Sequence, residues 1–292
     1  MKVRSNKIAD VLSYYQQKLT EHYNNDEAKS LIRLLIADFV DIPKHTISLN
    51  LDKRISESEL LLIHFGVKDL LKDKPIQYIL GKAEFLDWHF KVQPAVLIPR
   101  PETEELVLLA FEAIKNKSEL KLLDIGTGSG VIAISMAKKL AIKTYAIDIS
   151  PSAIAIAKEN SHKIEAKVKF ELMDILDSSQ WNKLDYQWDV IISNPPYVRE
   201  QEKTMMQANV TDYEPHLALF VDDDDALLFY RNSALYATHR LKPSGEIWFE
   251  INEYLSDKLR VLMLKYFYSV EIINDFRGRK RFCHAKTLRL KQ

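Results

Sequence analysis

The tetrapeptide Asn194-Pro195-Pro196-Tyr197 has the residue types needed to hold a flat amide or amino group. It follows a run of β-forming residues, and the two prolines fix φ and donate no backbone hydrogen bonds, so we expect a stiff loop whose carbonyls point outward. A target NH2 group can donate to the Asn194 side-chain oxygen and to a loop carbonyl, and Tyr197 can lie against its plane. We therefore predict that these four residues are catalytic and poise a nitrogen to accept a methyl group. The simpler alternative is that the prolines end a strand and Tyr197 packs.

Glycines are scarce in this chain, yet three of the seven lie together at Gly126, Gly128 and Gly130. They separate a short apolar run at 121–125, typical of a buried strand, from an apolar helical run. A glycine turn between a strand and a helix lets a ligand approach the main chain and leaves free N–H groups at the helix start. A second predicted strand ends at Asp148, about 20 residues further on, the usual spacing for an acid that holds ribose hydroxyls. The pattern predicts a nucleoside pocket.

Two cofactor classes, NAD and S-adenosyl-L-methionine, fit a pocket of this kind. The dinucleotide fingerprint is G-x-G-x-x-G, whereas the glycines here fall as G-x-G-x-G and Val131 stands at the position of the third dinucleotide glycine. In open α/β sheets, ligands bind at the carboxyl ends of the strands. The pocket and the Asn-Pro-Pro-Tyr loop are expected at neighbouring strand ends, which favours S-adenosyl-L-methionine as the methyl donor.

Other segments add more specific motifs. They are Pro75–Gly81 with Phe85, Leu97–Val107, Asp124–Gly130, Asp148–Ser150, Asn194–Tyr197 and Tyr213–Pro215. Over nearly its whole length the chain resembles the HemK/PrmC family of class I methyltransferases, which methylate a glutamine side-chain nitrogen in peptide-chain release factors. The resemblance implies transfer of a methyl group to N5 of the glutamine in the Gly-Gly-Gln motif, and hence a role in translation termination. DNA adenine methyltransferases share the Asn-Pro-Pro-Tyr signature, so N6-adenine DNA methylation remains the alternative.

The predicted cofactor-binding residues come from three strand ends and the Asn-Pro-Pro-Tyr loop. They are Gly126, Thr127, Gly128, Ser129, Gly130, Asp148, Asp174, Ile175 and Asn194. Asp174 follows a predicted strand where this fold tends to hold adenine, and its alternative role is that of a helix N-cap. The chain departs from the family at Phe220–Asp225, where a glycine-containing turn is usual. Its four acids are typical of a solvated loop and helix N-terminus.

Composition fits a globular cytoplasmic enzyme: the 292 residues are 47% hydrophobic and 28% charged, as in ordinary soluble domains. The single cysteine excludes an intrachain disulfide, and the eight histidines show no metal-ligand spacing, so no metal is predicted. No apolar run reaches the ~18 residues of a membrane span. With 41 basic and 41 acidic residues, stable DNA binding is not expected. Release factors are the predicted partners.

Hydrophobic periodicity divides the chain into three parts. Residues 1–72 have helical spacing and are predicted to form a small bundle that docks the substrate, since an amide grip cannot distinguish one glutamine from another. Residues 73–100 are predicted to contain a β-hairpin linker, and residues 101–292 the methyltransferase domain. Its strands are predicted near 121–124, 144–148, 167–171, 189–193, 246–250, 269–274 and 281–286. Seven strands fit a Rossmann-like α/β class I methyltransferase better than a six-stranded dinucleotide fold. An NAD-dependent oxidoreductase and a non-catalytic cofactor-binding adaptor are the remaining alternatives.

Overall fold

A computed structural model describes residues 3–289 of the chain. The chain forms two compact units. The first reaches to Gly81 and also includes Ala208–Tyr213, and the second comprises Lys82–Gln207 together with the chain from Glu214 onward.

The first unit is helical, as the periodicity of its sequence predicts. Its main helices are α1 (Ile8–Leu19), α2 (Asn25–Phe39), α3 (Glu57–Leu70) and α4 (Ile76–Leu80). The Asn24 side chain accepts from the Glu27 backbone N–H at 2.9 Å and so begins α2, and Ser56 with Glu59 forms a capping box that begins α3. This unit extends beyond residue 72 because α4 packs against α2 and α3.

The second unit alternates helices and strands. Its hairpin consists of β1 (Lys82–Phe85) and β2 (Trp88–Lys91). The helices that follow are α5 (Pro101–Ile114), α6 (Val131–Leu140), α7 (Pro151–Lys163), α8 (Ala208–Thr211, which belongs to the first unit), α9 (Leu228–Arg240) and α10 (Ser256–Met263). The strands are β3 (Lys121–Ile125), β4 (Lys143–Asp148), β5 (Val168–Leu172), β6 (Trp188–Ser193), β7 (Val198–Arg199), β8 (Phe220–Val221), β9 (Leu241–Glu250), β10 (Phe267–Asn274) and β11 (Lys280–Leu288). The acidic run at 222–225 lies just ahead of α9, where the Asp222 side chain accepts from the Asp224 N–H at 2.9 Å.

Seven of these strands form one sheet in the order β10-β11-β9-β6-β3-β4-β5, and all seven were predicted from the sequence. Strands β5, β4, β3, β6 and β9 run parallel, and β11 is antiparallel to both of its neighbours. From β3 the chain builds outward through β4 and β5, then returns to place β6 on the other side of β3. Such a reversal of strand order opens a crevice at the carboxyl ends of the strands.

Alternating residues of the central strands are buried on opposite faces of this sheet. Leu122 of β3 packs with residues of α5 and α6, whereas Leu123 and Ile125 pack with residues of α9 and α10. Burial on both faces explains why β3 has a nearly continuous apolar sequence. Among residues 3–289, no helix has the length and apolar character needed to cross a bilayer.

The buried side chain of Asn160 on α7 ties the glycine turn to the hairpin. Its Nδ2 donates to the Ser129 carbonyl at 2.9 Å and to the Lys91 carbonyl at 3.0 Å, and its Oδ1 accepts from the Lys91 N–H at 2.7 Å. Three main-chain groups therefore depend on a single buried amide.

Replacing Asn160 with alanine should destabilise the second unit by about 1–3 kcal/mol, because buried main-chain groups lose their partners. All four tryptophans (Trp88, Trp181, Trp188 and Trp248) lie in the second unit, so urea unfolding followed by tryptophan fluorescence measures that unit. Asn232→Ala is the matched control, since the Asn232 side chain is only half-buried and bonds within its own helix. Equal unfolding free energies for the two variants would contradict the proposed tie.

Candidate active site

A cavity of about 350 Å³ opens at the carboxyl ends of β3, β4 and β6, within the second unit. The strand register produces this arrangement, because Ile125 pairs with Ile147 on one side and with Ser193 on the other. Most of the predicted site residues line the cavity: Gly126, Thr127, Gly128, Ser129, Asp148, Asp174, Ile175, Asn194, Pro195 and Pro196. Gly130 and Tyr197 are not in the lining. The structure therefore brings the glycine turn and the Asn-Pro-Pro loop to one space.

The glycine turn has a backbone that disfavours other residues. Gly126, Gly128 and Gly130 have φ angles of 75°, 54° and 88°, in the left-handed region. A Cβ on Gly130 would also lie 2.7 Å from the Ile134 Cδ1 atom. A Cβ on Gly126 or Gly128 would meet nothing within 4 Å, so a side chain there would take up space in the cavity. The turn is bare where a ligand would approach, which fits a bound nucleoside.

Asp124 of β3 stabilises this turn by accepting hydrogen bonds. It is completely buried, and its Oδ2 accepts from the Thr127 hydroxyl at 2.7 Å and from the Ala133 N–H at 3.2 Å. Burial raises the pKa of this carboxyl to about 7, against the lowering effect of these two hydrogen bonds.

Asp148 holds the same turn from the end of β4. Its Oδ2 accepts from the Gly128 N–H at 2.8 Å, and its Oδ1 accepts from the Ser150 N–H at 2.9 Å. Burial raises the pKa of Asp148, and these backbone donors oppose the rise. Each carboxylate oxygen has a second lone pair, so Asp148 can accept ribose hydroxyls while it shapes the turn.

Asp174 and Ile175 lie in the cavity wall beyond β5. The Asp174 Oδ1 accepts from the Leu176 N–H at 2.9 Å and closes a local turn. The next helical turn, Ser178–Lys183, is capped by Asp177, so Asp174 is not its N-cap. The role of Asp174 and Ile175 beside adenine stays a prediction.

Asn194 belongs to a chain of hydrogen bonds that the sequence analysis missed. Its Nδ2 donates to Thr103 Oγ1 at 3.0 Å, and the Thr103 hydroxyl donates to Glu250 Oε2 at 2.7 Å. Glu250 is the last residue of β9, and the neighbouring Phe249 pairs with Ser193. The sequence marks Glu250 only as an acid that ends an apolar strand, and the pairing of that strand with β6 shows that it lies near Asn194.

Both the side chain and the main chain of Tyr197 make hydrogen bonds. Its hydroxyl donates to Glu250 Oε1 at 2.8 Å, and its carbonyl accepts from Asn252 Nδ2 at 3.1 Å. Burial, together with the adjacent Glu250, raises the pKa of Tyr197 well above its ordinary value, so the phenol stays a donor. Stacking of Tyr197 on a target group stays a prediction.

Glu214 anchors another wall of the cavity. Its buried carboxylate accepts from the Ile98 N–H at 3.0 Å and from the Arg100 guanidinium. Pro215 and Leu217, which follow it, line the cavity. The Tyr-Glu-Pro motif thus contributes a structural carboxylate next to apolar wall residues.

Comparison with known proteins identifies the domains of the chain. Residues 105–218 match the methyltransferase small domain, and residues 10–81 match the PrmC N-terminal domain. Among solved structures, the 16S rRNA N2 methyltransferase of T. thermophilus in complex with AdoMet and guanosine is similar in fold, with a TM-score of 0.50 and 17% identity over 70% of this chain and 49% of its own. A methyltransferase from Pyrococcus furiosus has the same TM-score and identity, covering 81% of this chain and 100% of its own.

The fold and the matched domain define a methyltransferase. A release factor glutamine methyltransferase of Bacteroides thetaiotaomicron is 42% identical over 277 residues, which cover 94% of this chain and 98% of that protein. The Flavobacterium psychrophilum protein of the same name is 40% identical over 282 residues, with 94% and 97% coverage. The chain belongs to the release factor glutamine methyltransferase family, and these relatives do not favour DNA methylation.

The buried Asp124 should make stability depend on pH. Its folded pKa of about 7 lies above the ordinary 3.8, so its stabilising contribution is complete below the ordinary value and is lost as pH rises through the folded pKa. The Asp124→Asn variant cannot ionise at this position. The free energy of unfolding of this variant minus that of the parent protein should therefore increase as the pH rises from about 4 to about 8. Urea unfolding across this range measures the difference, with the exposed Asp257→Asn as control; a constant difference would contradict an elevated Asp124 pKa.

Proposed function

We propose that this protein transfers a methyl group from S-adenosyl-L-methionine to the side-chain N5 of the glutamine in the Gly-Gly-Gln motif of peptide-chain release factors. The observation that carries the proposal is the placement of the Asn194 amide on the same cavity as the glycine turn, in a chain about two-fifths identical to proteins named for this reaction. Its substrate would locate the activity in the cytoplasm, where translation terminates.

The cofactor would be held by residues from the ends of β3, β4 and β5. The bare main chain at Gly126 and Gly128 would face it, Asp148 would accept its ribose hydroxyls, and Ile175 would cover its adenine. When bound, S-adenosyl-L-methionine would supply a methyl group from its positively charged sulfur: the target nitrogen would take the methyl group, and the electrons of the broken carbon–sulfur bond would stay with the sulfur.

Asn194 and the two prolines would act on the target amide. Amide nitrogens are poor nucleophiles because their lone pair is delocalised. Hydrogen bonds from the target N–H groups to Asn194 Oδ1 and to a proline carbonyl would hold the nitrogen and disperse the positive charge that develops on it. Positioning of this kind contributes about 7–11 kcal/mol in well-oriented reactions. The N–H proton becomes acidic as the new bond forms, so it can leave to water without a dedicated base.

The direct test is labelled methyl transfer into an intact release factor, with mass-spectrometric mapping of the modified residue. The parent protein should label the Gly-Gly-Gln glutamine and leave duplex DNA unlabelled. Asn194→Ala should lose about 10²–10³-fold in single-turnover rate at saturating S-adenosyl-L-methionine, as when one preorganised transition-state partner is removed. Asn182→Ala is the control, because Asn182 is a surface residue that pairs with Arg240. Labelled DNA adenine with an unlabelled release factor would refute the proposal.

We also propose that the helical unit docks the release factor. A grip on a primary amide recognises every glutamine equally, so selectivity needs contacts beyond the active site. Leu61, Leu62 and Phe65 occupy one face of α3 and are 47%, 49% and 56% exposed. Clustered apolar side chains at a surface favour protein association. The alternative role for this unit is to cover apolar surface of the catalytic domain.

Phe65→Ala should raise the KM for an intact release factor roughly tenfold, which corresponds to about 1.4 kcal/mol of lost binding. The kcat/KM for a short Gly-Gly-Gln peptide should not change, because the peptide lacks the remote contacts. Tyr268→Ala is the matched control, since Tyr268 is a similarly exposed aromatic residue on β10. If Phe65→Ala affects the peptide and the intact factor equally, α3 does not dock the substrate.

A further inference from the structure

We infer that Thr103 and Glu250 are positioning residues that determine which atom of the Asn194 amide faces the target. This inference rests on the proposed function, and it assigns a role to two residues outside the Asn-Pro-Pro-Tyr motif. Both are buried, with Thr103 3% and Glu250 1% exposed. Neither residue needs to touch the target nitrogen.

The orientation follows from the hydrogen-bonding capacity of each group. A carboxylate only accepts, and a threonine hydroxyl has a single proton to donate. At 2.7 Å from Glu250 Oε2, the Thr103 hydroxyl gives its proton to the carboxylate, and its oxygen can then only accept from Asn194. The group of Asn194 that lies 3.0 Å from Thr103 must therefore be the Nδ2 amino group, which leaves Oδ1 to meet a ligand.

The other oxygen of the same carboxylate accepts a hydrogen bond from Tyr197. The Tyr197 hydroxyl donates to Oε1, so both Glu250 oxygens receive a proton donor. Burial raises the pKa of Glu250, and Thr103, Tyr197 and the nearby Arg281 guanidinium oppose that rise, whereas Glu102 adds to it. Glu250 thus links the first and last residues of the Asn-Pro-Pro-Tyr motif through its two oxygens.

The opposite amide orientation would be unproductive. If the Asn194 amide turned over, its Nδ2 would face the NH2 group of the target, and two donors would meet without an acceptor. A buried carboxylate is expensive to maintain, and a glutamine at position 250 would fill nearly the same volume. However, a glutamine NH2 can donate to Thr103, whose hydroxyl could then donate to Asn194 Oδ1 and stabilise the wrong orientation.

The test compares Thr103→Val, which removes the hydroxyl but keeps the shape, with Thr103→Ser, which keeps the hydroxyl. We expect Thr103→Val to lose about 10²-fold in single-turnover methylation, the effect of a misplaced catalytic group, with unchanged affinity for S-adenosyl-L-methionine. Thr103→Ser should retain most of the rate. Thr238→Val is the matched control, because the Thr238 hydroxyl bonds to the Leu235 carbonyl within α9.

A second measurement does not depend on catalysis. The side-chain amide resonance of Asn194 can be assigned by its absence in Asn194→Ala. The protons of this amide should exchange slowly with water in the parent protein and in Thr103→Ser. They should lose this protection in Thr103→Val. The parent protein's failure to methylate any release factor would refute the proposed function alone, because amide protection still reports on the orientation.

Unchanged amide protection and rate in Thr103→Val would overturn the inference, as would an equal loss of rate in Thr103→Val and Thr103→Ser. Should Thr103→Val not fold, Glu250→Gln provides the deciding variant. It should bind S-adenosyl-L-methionine normally and lose single-turnover rate to a similar extent. A Glu250→Gln variant with the parent rate would overturn the inference.

Discussion

The parallel register of β3 with its two neighbours is the constraint on which the site depends. Ile125 lies beside both Ile147 and Ser193, so the residues that follow these strands emerge at one edge of the sheet. The next strand, β9, extends this alignment, because Phe249 lies beside Ser193. Backbone hydrogen bonds between strands therefore bring together a glycine turn, the acid Asp148, an amide and a buried carboxylate that are far apart in the sequence.

The parts of the site that could be predicted from the sequence have local signals. A buried parallel strand is a short apolar run, and the glycine turn is marked by the spacing of its glycines. The site around Asn194 is marked by two consecutive prolines, which leave few backbone conformations open. In each case the residue types alone specify the local conformation, and the seven strands were predicted correctly.

The support of Asn194 could not be predicted in this way. Thr103 and Glu250 are 147 residues apart, and a threonine in the first turn of a helix is an ordinary residue when considered alone. Only the strand pairing shows that Glu250 ends beside Asn194. The same reason applies to Ala208–Tyr213, which packs in the helical unit although its neighbours in the sequence belong to the catalytic domain. Short segments with long-range partners have no periodicity to reveal them.

The course of the chain makes the helical unit inseparable from the catalytic sequence. The chain passes between the units after Gly81, before Ala208 and after Tyr213, and the Tyr213 hydroxyl donates to the Lys72 carbonyl at 2.6 Å. The N-terminal bundle therefore cannot be exchanged between proteins as a single continuous segment. A chimera of two family members joined at Gly81 would pair a bundle from one parent with the Ala208–Tyr213 segment of the other. The packing of that unit thus depends on two stretches that more than a hundred residues separate in the sequence.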